Sequence, residues 1–329
     1  MKILCTGTMA ALGLKMLEKE GHQVFQLVSK SILTTEQLID HCKAYDALIS
    51  TATTPLNKDF FEASSHLKAV VLLQANYDHI QPKWATKNNI PVGAIPSGIN
   101  QAVAETTLML MMASSRQVNA QHNRILTNQW ARHRVSGLTG QSLAYKTLGI
   151  FGLGNIGQQV VHLCRRTFGM NVIYHNRIPN QHLESTLDVQ YVPIEDLLEK
   201  SDVLSVHATL NEDSSGFFDA KAFYAMKRSA IFINTADGKI HDHNALTRAV
   251  YEGWIWGAGL DVTDPSPLVG SDPLINHPHV CITPRIALDT YETQLLISKI
   301  AAKNLIAALR EEKMPDCINP IVYRYINHK

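Results

Sequence analysis

The chain has 329 residues, of which 45% are hydrophobic and 18% are charged, and this length favours two globular domains over one. Its 30 lysines and arginines nearly balance its 29 aspartates and glutamates, and no basic run would follow a phosphate backbone or an anionic membrane, so we expect no nucleic-acid or membrane partner. Five cysteines without C-x-x-C spacing, and histidines without metal-binding spacing, predict neither a disulfide framework nor a metal site.

Short apolar runs alternate with helical patterns through the first hundred residues. The first run, residues 2–5, is too short for the apolar region of a signal peptide, and no later run approaches the ~20 residues that span a bilayer, so we expect a cytoplasmic protein. The alternation is typical of a parallel sheet covered by helices. The predicted strands are residues 2–5, 23–27, 46–50, 68–73 and 91–94.

A long helix, predicted from about Asn100 to Asn119, precedes a second series of strands. Six predicted strands with helices between them match the doubly wound α/β fold. A helix over residues 290–310 follows, and the tail at 314–329 is expected to return to the first domain. The predicted strands of the second series are residues 148–152, 171–175, 202–206, 230–233, 255–260 and 279–282.

A G-x-G-x-x-G pattern stands between the first strand of this second series and a helical segment. Gly152 allows a tight turn, Gly154 lets the backbone approach a pyrophosphate, and Gly157 lets helix and strand pack closely. The start of the helix, with Asn155 and Ile156, is then an anion site. The pattern in this context predicts a dinucleotide cofactor.

The end of the following strand bears on which dinucleotide is bound. A site selective for NAD usually offers a carboxylate there to the ribose 2′-hydroxyl, but this chain has Asn176 and Arg177. Asparagine does not repel a 2′-phosphate, and arginine can bind one. We therefore expect NADP to be preferred, with NAD as the alternative.

Six segments spread over nearly the whole chain match one known family in order and spacing. They are Tyr-Asp-His-Ile (77–80), Ala-Val-Ala-Glu (102–105), residues 147–157, Ile-Asn-Thr-Ala (233–236), Gly-Ala-Gly-Leu-Asp-Val (257–262) and Ile-Thr-Pro (282–284). Together they resemble the D-isomer-specific 2-hydroxyacid dehydrogenases, most closely the glyoxylate/hydroxypyruvate reductase branch. The resemblance implies two Rossmann-like domains: a doubly wound nucleotide domain (100–288) inserted in a flavodoxin-like substrate domain (1–99 with 289–329). It also implies a small-molecule substrate bound in a cleft, and a homodimer.

The resemblance assigns further residues to the cofactor. His207 and Ala208, after the third strand of the nucleotide domain, are expected to contact the nucleotide. Thr235 and Ala236 are expected to line the same pocket. Asp261 is expected near the nicotinamide amide, with a purely structural cap as the equal alternative.

The catalytic positions depart from the family. The resemblance implies an arginine that polarises the carbonyl, a glutamate, and a histidine that protonates the alkoxide. These positions carry Asp237, Ser266 and Arg285 instead. The substrate-binding loop departs too, because Gln74, Ala75 and Asn76 replace a glycine-containing turn; these three and Arg285 are the predicted substrate-binding residues.

The replaced residues leave three interpretations open. In one, Asp237 and Arg285 form an ion pair and the chain is a catalytically inactive dinucleotide-binding protein with a binding or regulatory role. In another, Arg285 binds an anionic substrate and Asp237 serves as a base or pairs with a cationic group. In the third, weak conventional activity persists through substrate positioning alone. We favour an NAD(P)-dependent oxidoreductase that acts on the CH–OH/C=O group of a small anionic substrate.

Overall fold

The structure, a computed structural model, describes residues 1–29, 33–51, 54–74, 77, 79–95, 98–130 and 139–326. The chain divides into two compact units. Unit 1 combines Met1–Gly98 with Asp289–Lys329, and unit 2 is Ile99–Leu288.

Unit 1 begins with strands and helices that alternate along the chain. The strands are β1 (Lys2–Cys5), β2 (Gln23–Gln26), β3 (Ala47–Ser50), β4 (Ala69–Leu72) and β5 (Val92–Gly93), and the helices are α1 (Ala11–Lys19), α2 (Thr35–Cys42), α3 (Lys58–Ala63) and α4 (Pro82–Lys87). The strands form one parallel sheet in the order β2-β1-β3-β4-β5. Every residue of β3 and β4 is buried, as is typical of a parallel sheet covered on both faces.

Unit 2 starts with two helices and continues as a larger α/β layer structure. The helices are α5 (Asn100–Arg116), α6 (Val118–Leu126), α7 (Asn155–Phe168), α8 (Gln181–Leu187), α9 (Ile194–Lys200), α10 (Ala220–Ala225) and α11 (His243–Tyr251), and the strands are β6 (Thr147–Phe151), β7 (Asn171–His175), β8 (Gln190–Tyr191), β9 (Val203–Val206), β10 (Ile231–Asn234), β11 (Gly257–Leu260) and β12 (Val280–Ile282). The sheet order is β12-β11-β10-β9-β6-β7-β8, parallel throughout. The chain therefore reverses its winding direction between β6 and β9, where α/β sheets of this kind open a crevice at their carboxyl edge.

Alternate residues of the central strands pack into two separate cores. Phe232 of β10 joins one cluster, whereas its neighbours Ile231 and Ile233 join the other. This is the period-2 alternation of a strand between two helix layers. Both faces of the sheet are thus covered by helices. Its carboxyl edge is where a ligand can bind.

The C-terminal segment returns to unit 1 through α12 (Tyr291–Leu309) and α13 (Tyr323–Ile326). The backbone between them runs beside β5: Ala94 donates to the Asp316 carbonyl at 3.1 Å, and Ile318 donates to the Val92 carbonyl at 2.8 Å. The tail thereby covers the edge of the five-stranded sheet.

The two parallel-sheet α/β domains predicted from the sequence are confirmed, with two local differences. The larger sheet has a seventh strand, the two-residue β8, which was not predicted. The long helix predicted to reach Asn119 ends at Arg116, because Gln117 adopts a left-handed conformation with φ of 55° and a new helix begins at Val118.

Among the described residues, no helix is long and apolar enough to cross a membrane. In the same ranges, no group of three or more His, Cys, Asp or Glu side chains could hold a metal ion.

Candidate functional site

The glycine-rich turn joins β6 to α7 at the carboxyl edge of the larger sheet. Gly152 has φ of +98°, and a Cβ there would lie 2.5 Å from the Ala208 nitrogen, so no other residue fits. A Cβ on Gly157 would lie 2.7 Å from the Gly152 carbonyl oxygen. Gly152 and Gly157 are therefore required by close contacts within the folded chain.

Gly154 differs, because a Cβ there would meet no protein atom within 4 Å. Gly154 is the N-cap of the 14-residue helix α7 and brings no side chain to the free amides of the first turn. Helix N-termini bind anions through those amides and the helix dipole. The open space over Gly154 therefore fits a phosphate group that approaches the backbone closely, and Asn155 and Ile156 bring their amides to the same place.

The end of β7 is tied to the glycine turn. The side-chain carbonyl of Asn176 accepts a hydrogen bond from the Leu153 amide at 2.7 Å. The Arg177 side chain is 80% exposed, and its Nη1 lies 3.8 Å from Asp213 Oδ2. Asn176 thus helps to hold the turn in place, while Arg177 keeps its guanidinium accessible to an anion.

A cavity of about 480 Å³ lies where the winding direction reverses. Four predicted cofactor residues are among its lining residues: Gly152, Asn176, Arg177 and Ala208. His207 is partly buried and its Nε2 lies 2.8 Å from Ser205 Oγ. Burial lowers the pKa of His207 to about 3, so the imidazole stays neutral near pH 7.

The remaining predicted cofactor residues make internal hydrogen bonds. The buried Asp261 carboxylate accepts from Thr283 Oγ1 at 2.6 Å and from the amides of Ile286 and Ala287 at 2.9 and 3.0 Å. Asp261 therefore fixes the loop after β12. Thr235 shares a 3.0 Å hydrogen bond with the Thr107 hydroxyl. The Ala236 amide donates to the side chain of Asn234, the residue that ends β10.

The three replaced catalytic positions lie in loops that follow β10, β11 and β12. Asp237 begins a short 3₁₀ turn, Gly238–Ile240, and its carboxylate accepts from the Lys239 amide at 2.9 Å. Ser266 is exposed. Arg285 is exposed and has φ of +58°, with its amide held by the Asp261 carbonyl at 3.1 Å. All three follow the carboxyl ends of strands, where ligands bind in such folds.

A second cavity, of about 430 Å³, brings two of these residues together. Ser266, Arg285, Asp261 and Thr283 are among its lining residues, whereas Asp237 is not. Over the described residues, no salt bridge joins Asp237 to Arg285. The ion pair that one interpretation expected is therefore not formed. Arg285 keeps a guanidinium free for a carboxylate, but a guanidinium does not serve as a general acid in place of a histidine.

The histidine nearest in sequence to these loops does not replace the missing acid. His241 is 3% exposed, and its Nδ1 accepts from the Asn234 amide nitrogen at 3.0 Å. Burial lowers its pKa to about 4, so the ring is neutral near pH 7. Asn234 also donates to the Asp237 carbonyl at 2.8 Å. This network positions the loop that carries Asp237, and it offers no imidazolium to a substrate.

The predicted substrate loop is described only at Gln74, whose side-chain Nε2 lies 3.4 Å from His79 Nδ1. Ala75 and Asn76 lie outside the described residues. Substrate binding by these three residues stays a prediction.

The sequence interpretation missed Asn211, Asp213 and Ser214, which line the first cavity beside Arg177. Asn211 Oδ1 accepts from the amides of Asp213 and Ser214 at 2.9 and 3.0 Å, which is an Asx turn. One signal was available: the loop after the third strand of a doubly wound fold must border the crevice.

Known proteins similar to this chain agree with the fold. The family model of the D-isomer specific 2-hydroxyacid dehydrogenase NAD binding domain matches residues 108–287. The glyoxylate reductase of Korarchaeum cryptofilum is 37% identical over 289 residues, which cover 87% of this chain and 86% of the relative.

Two solved structures extend the comparison. The TT0316 protein from Thermus thermophilus superimposes with a TM-score of 0.90 at 31% identity, covering 97% of this chain and 100% of the other. An acyclic imino acid reductase, Bsp5, solved with NADPH and D-Arg, gives a TM-score of 0.80 at 27% identity, with 97% and 100% covered. The chain therefore belongs to the D-isomer specific 2-hydroxyacid dehydrogenase family.

Proposed function

We propose that the protein is an NAD(P)-dependent oxidoreductase that acts on the CH–OH/C=O group of a small anionic substrate with altered catalytic residues. The observation that carries the proposal is the open space over Gly154 at the start of α7, beside a cavity at the reversal point of the sheet. A bound nicotinamide dinucleotide supplies or accepts hydride. In this proposal residues 100–288 form the cofactor-binding domain and also supply Arg285 to the substrate, and residues 1–99 with 289–329 form the substrate domain.

In this proposal, different residues of the crevice bind different parts of the cofactor. The amides of Gly154, Asn155 and Ile156 would bind the pyrophosphate. His207 and Ala208 would contact the nucleotide, and Thr235, Ala236 and Asp261 would lie on the nicotinamide side. Because the Asp261 carboxylate already accepts three hydrogen bonds, its role there is to hold the loop that carries Arg285.

NADPH is proposed as the preferred cofactor. Arg177 offers an accessible guanidinium at the end of β7, and Asn176 carries no charge that would repel a 2′-phosphate. The solved structure of the relative Bsp5 contains NADPH. Arg177→Ala is expected to weaken NADPH binding about tenfold and NADH binding by less than about twofold, measured by calorimetry. Equal losses for the two cofactors would remove the 2′-phosphate role.

Arg285 is proposed to bind the substrate carboxylate. Its side chain is exposed in a cavity that also presents the Ser266 and Thr283 hydroxyls. Asp237 is unfavourable for a 2-keto acid, because two like charges ~4 Å apart repel by about 4 kcal/mol at an effective dielectric of ~20. The substrate carboxylate must therefore lie on the Arg285 side of the site.

A second candidate substrate class has a C=N group in place of C=O. Carbonyl reduction needs a proton donor for the developing alkoxide, whereas a protonated imine already carries its proton and a positive charge. Asp237 would stabilise that charge and keep the imine protonated. The relative Bsp5 is an imino acid reductase. This candidate fits the replacement of an arginine by Asp237 better than a keto acid does.

The activity test compares both classes directly. Purified protein with NADPH is mixed with glyoxylate, other 2-keto acids and aldehydes, each with and without methylamine, and the loss of nicotinamide absorbance is followed. Turnover of at least one anionic substrate is expected, and faster turnover with the amine present, with an N-methyl amino acid as product, would select the imine class. Clear NADPH binding without any turnover would select the inactive binding protein instead.

A variant with the family residues restored tests whether the three replaced catalytic residues alone prevent glyoxylate reduction. Asp237→Arg, Ser266→Glu and Arg285→His are combined to restore the family residues. Gain of glyoxylate reduction in this variant is expected, because the glycine-rich turn and the cavity beside it are present. No gain, with NADPH still bound, would mean that more than these three positions has changed.

A homodimer is proposed from the surface of α5 and α6. No residue of the nine-residue helix α6 is buried within the chain. A short helix with an uncovered apolar face has little stability of its own in water. The exposed apolar residues of the two helices are Met109, Met112, Val118, Ile125 and Leu126. A second copy of the chain would bury them. The cytoplasmic location stays a prediction from the sequence.

A further inference from the structure

The loop after β9 brings a carboxylate to the proposed 2′-phosphate site. Asp213 Oδ2 lies 3.8 Å from Arg177 Nη1, and both side chains are about four-fifths exposed. The backbone of Asp213 is fixed, because its amide donates to Asn211 Oδ1 at 2.9 Å. Among the described residues that line this cavity, Asp213 is the one carboxylate.

The neighbouring hydroxyl group is already engaged. Ser214 Oγ donates to the Thr209 carbonyl at 2.8 Å and accepts from the Asn211 amide at 2.9 Å. A phosphate entering this part of the cavity would therefore meet mainly the charges of Arg177 and Asp213.

The charges of Arg177 and Asp213 affect the binding of NADH and NADPH differently. A ribose with a neutral 2′-hydroxyl leaves the pair of Arg177 and Asp213 intact. A 2′-phosphate carries between one and two negative charges near pH 7, so it must draw Arg177 away from Asp213 while Asp213 repels it. Both effects weaken binding of the phosphorylated cofactor alone.

Resting on the proposed function, we propose that Asp213 is a specificity-determining residue that limits the preference for NADPH over NADH. Arg177 increases the affinity for NADPH relative to NADH, and Asp213 reduces this difference in affinity. Exposed ion pairs contribute modestly, so removal of the Asp213 charge tightens NADPH binding roughly two- to fivefold.

The test measures dissociation constants for NADPH and NADH by calorimetry in the wild type, Asp213→Asn and Glu212→Gln. The control removes the same charge from the adjacent exposed residue, which does not line the cavity. Asp213→Asn is expected to tighten NADPH roughly two- to fivefold and to change NADH by less than about 1.5-fold. Glu212→Gln is expected to change neither by more than about 1.5-fold, and the Asp213→Asn effect should shrink in high salt.

Three results would overturn the inference. An unchanged NADPH to NADH ratio in Asp213→Asn would remove the role of this side chain while leaving the proposed function standing. An equal gain in Glu212→Gln would mean that overall charge, and not the contact with Arg177, sets the preference. Failure of the wild type to bind either dinucleotide would overturn the proposed function and this inference with it.

Discussion

Replacing Gly154 by alanine is expected to weaken dinucleotide binding about tenfold or more without harming the fold. The added methyl group meets no protein atom within 4 Å, and the backbone at Gly154, with φ of −86° and ψ of −164°, is open to any residue. The free energy of unfolding should therefore change by less than about 1 kcal/mol, since alanine lowers the conformational entropy of the unfolded chain and this gain in stability offsets the poorer cap. The melting temperature should move by less than about 3 °C.

The added methyl group lowers the affinity for a dinucleotide, because a bound phosphate lies against the backbone at this position. Moving a phosphate away from the free amides of α7 weakens charge-assisted hydrogen bonds, each of which contributes about 1.5–3 kcal/mol. Loss of one such bond corresponds to about a tenfold or greater rise in the dissociation constant. NADPH and NADH should be affected alike, because both carry the pyrophosphate.

Gly157→Ala is the matched control, three residues along the same helix. Its Cβ would lie 2.7 Å from the Gly152 carbonyl oxygen and 3.2 Å from the Ile150 side chain, so the fold itself is strained. Overpacking of this kind costs about 1–3 kcal/mol, or roughly 2–12 °C in melting temperature. Circular dichroism melts of the free proteins and calorimetric titrations give both readouts. The reasoning is refuted if Gly154→Ala binds NADPH as tightly as the wild type.

Three other perturbations test the loop after β12, the buried histidine and the dimer surface. Asp261→Ala should lower the free energy of unfolding in urea by about 3 kcal/mol, because it leaves one buried and two partly buried donors without their carboxylate acceptor; a loss below about 1 kcal/mol would contradict this role. The pKa of buried His241 falls from 6.5 to about 4 on folding, so the unfolded chain binds the extra proton and stability decreases from about pH 6.5 down to pH 4. The contribution is about 3 kcal/mol, and His241→Gln should flatten the pH dependence of urea unfolding by that amount; an unchanged slope would count against it. Met112→Lys combined with Leu126→Lys should convert a particle of twice the 36.6 kDa chain mass into a monomer in light scattering, and a monomeric wild type would exclude this dimer.

The strands of the two sheets could be predicted because buried parallel strands are short apolar runs between helical patterns. The two-residue β8 could not, since Gln190 and Tyr191 make only an edge pairing beside β7 and bury no apolar run of their own. The end of the long helix α5, which Gln117 caps, could not be predicted either. No glycine or proline marks that position, and the residue in the left-handed conformation is a glutamine, which is not a usual helix end.

Within the site, the glycine-rich turn could be predicted because Gly152 and Gly157 are required by close local packing, and Gly154 leaves space for a phosphate. The sequence did not reveal that Asp261 holds the loop after β12, because its three donors lie 22 to 26 residues further along the chain. Asp213 was missed for a similar reason. It meets Arg177 only after the sheet has brought the ends of β7 and β9 to one edge.

The most direct test of the central claim is a calorimetric titration of NADPH, and separately of NADH, into the wild-type protein. If phosphates of a dinucleotide bind at the start of α7, both titrations saturate with one ligand per chain, and NADPH binds more tightly. No heat of binding from either dinucleotide up to millimolar concentration would contradict the account.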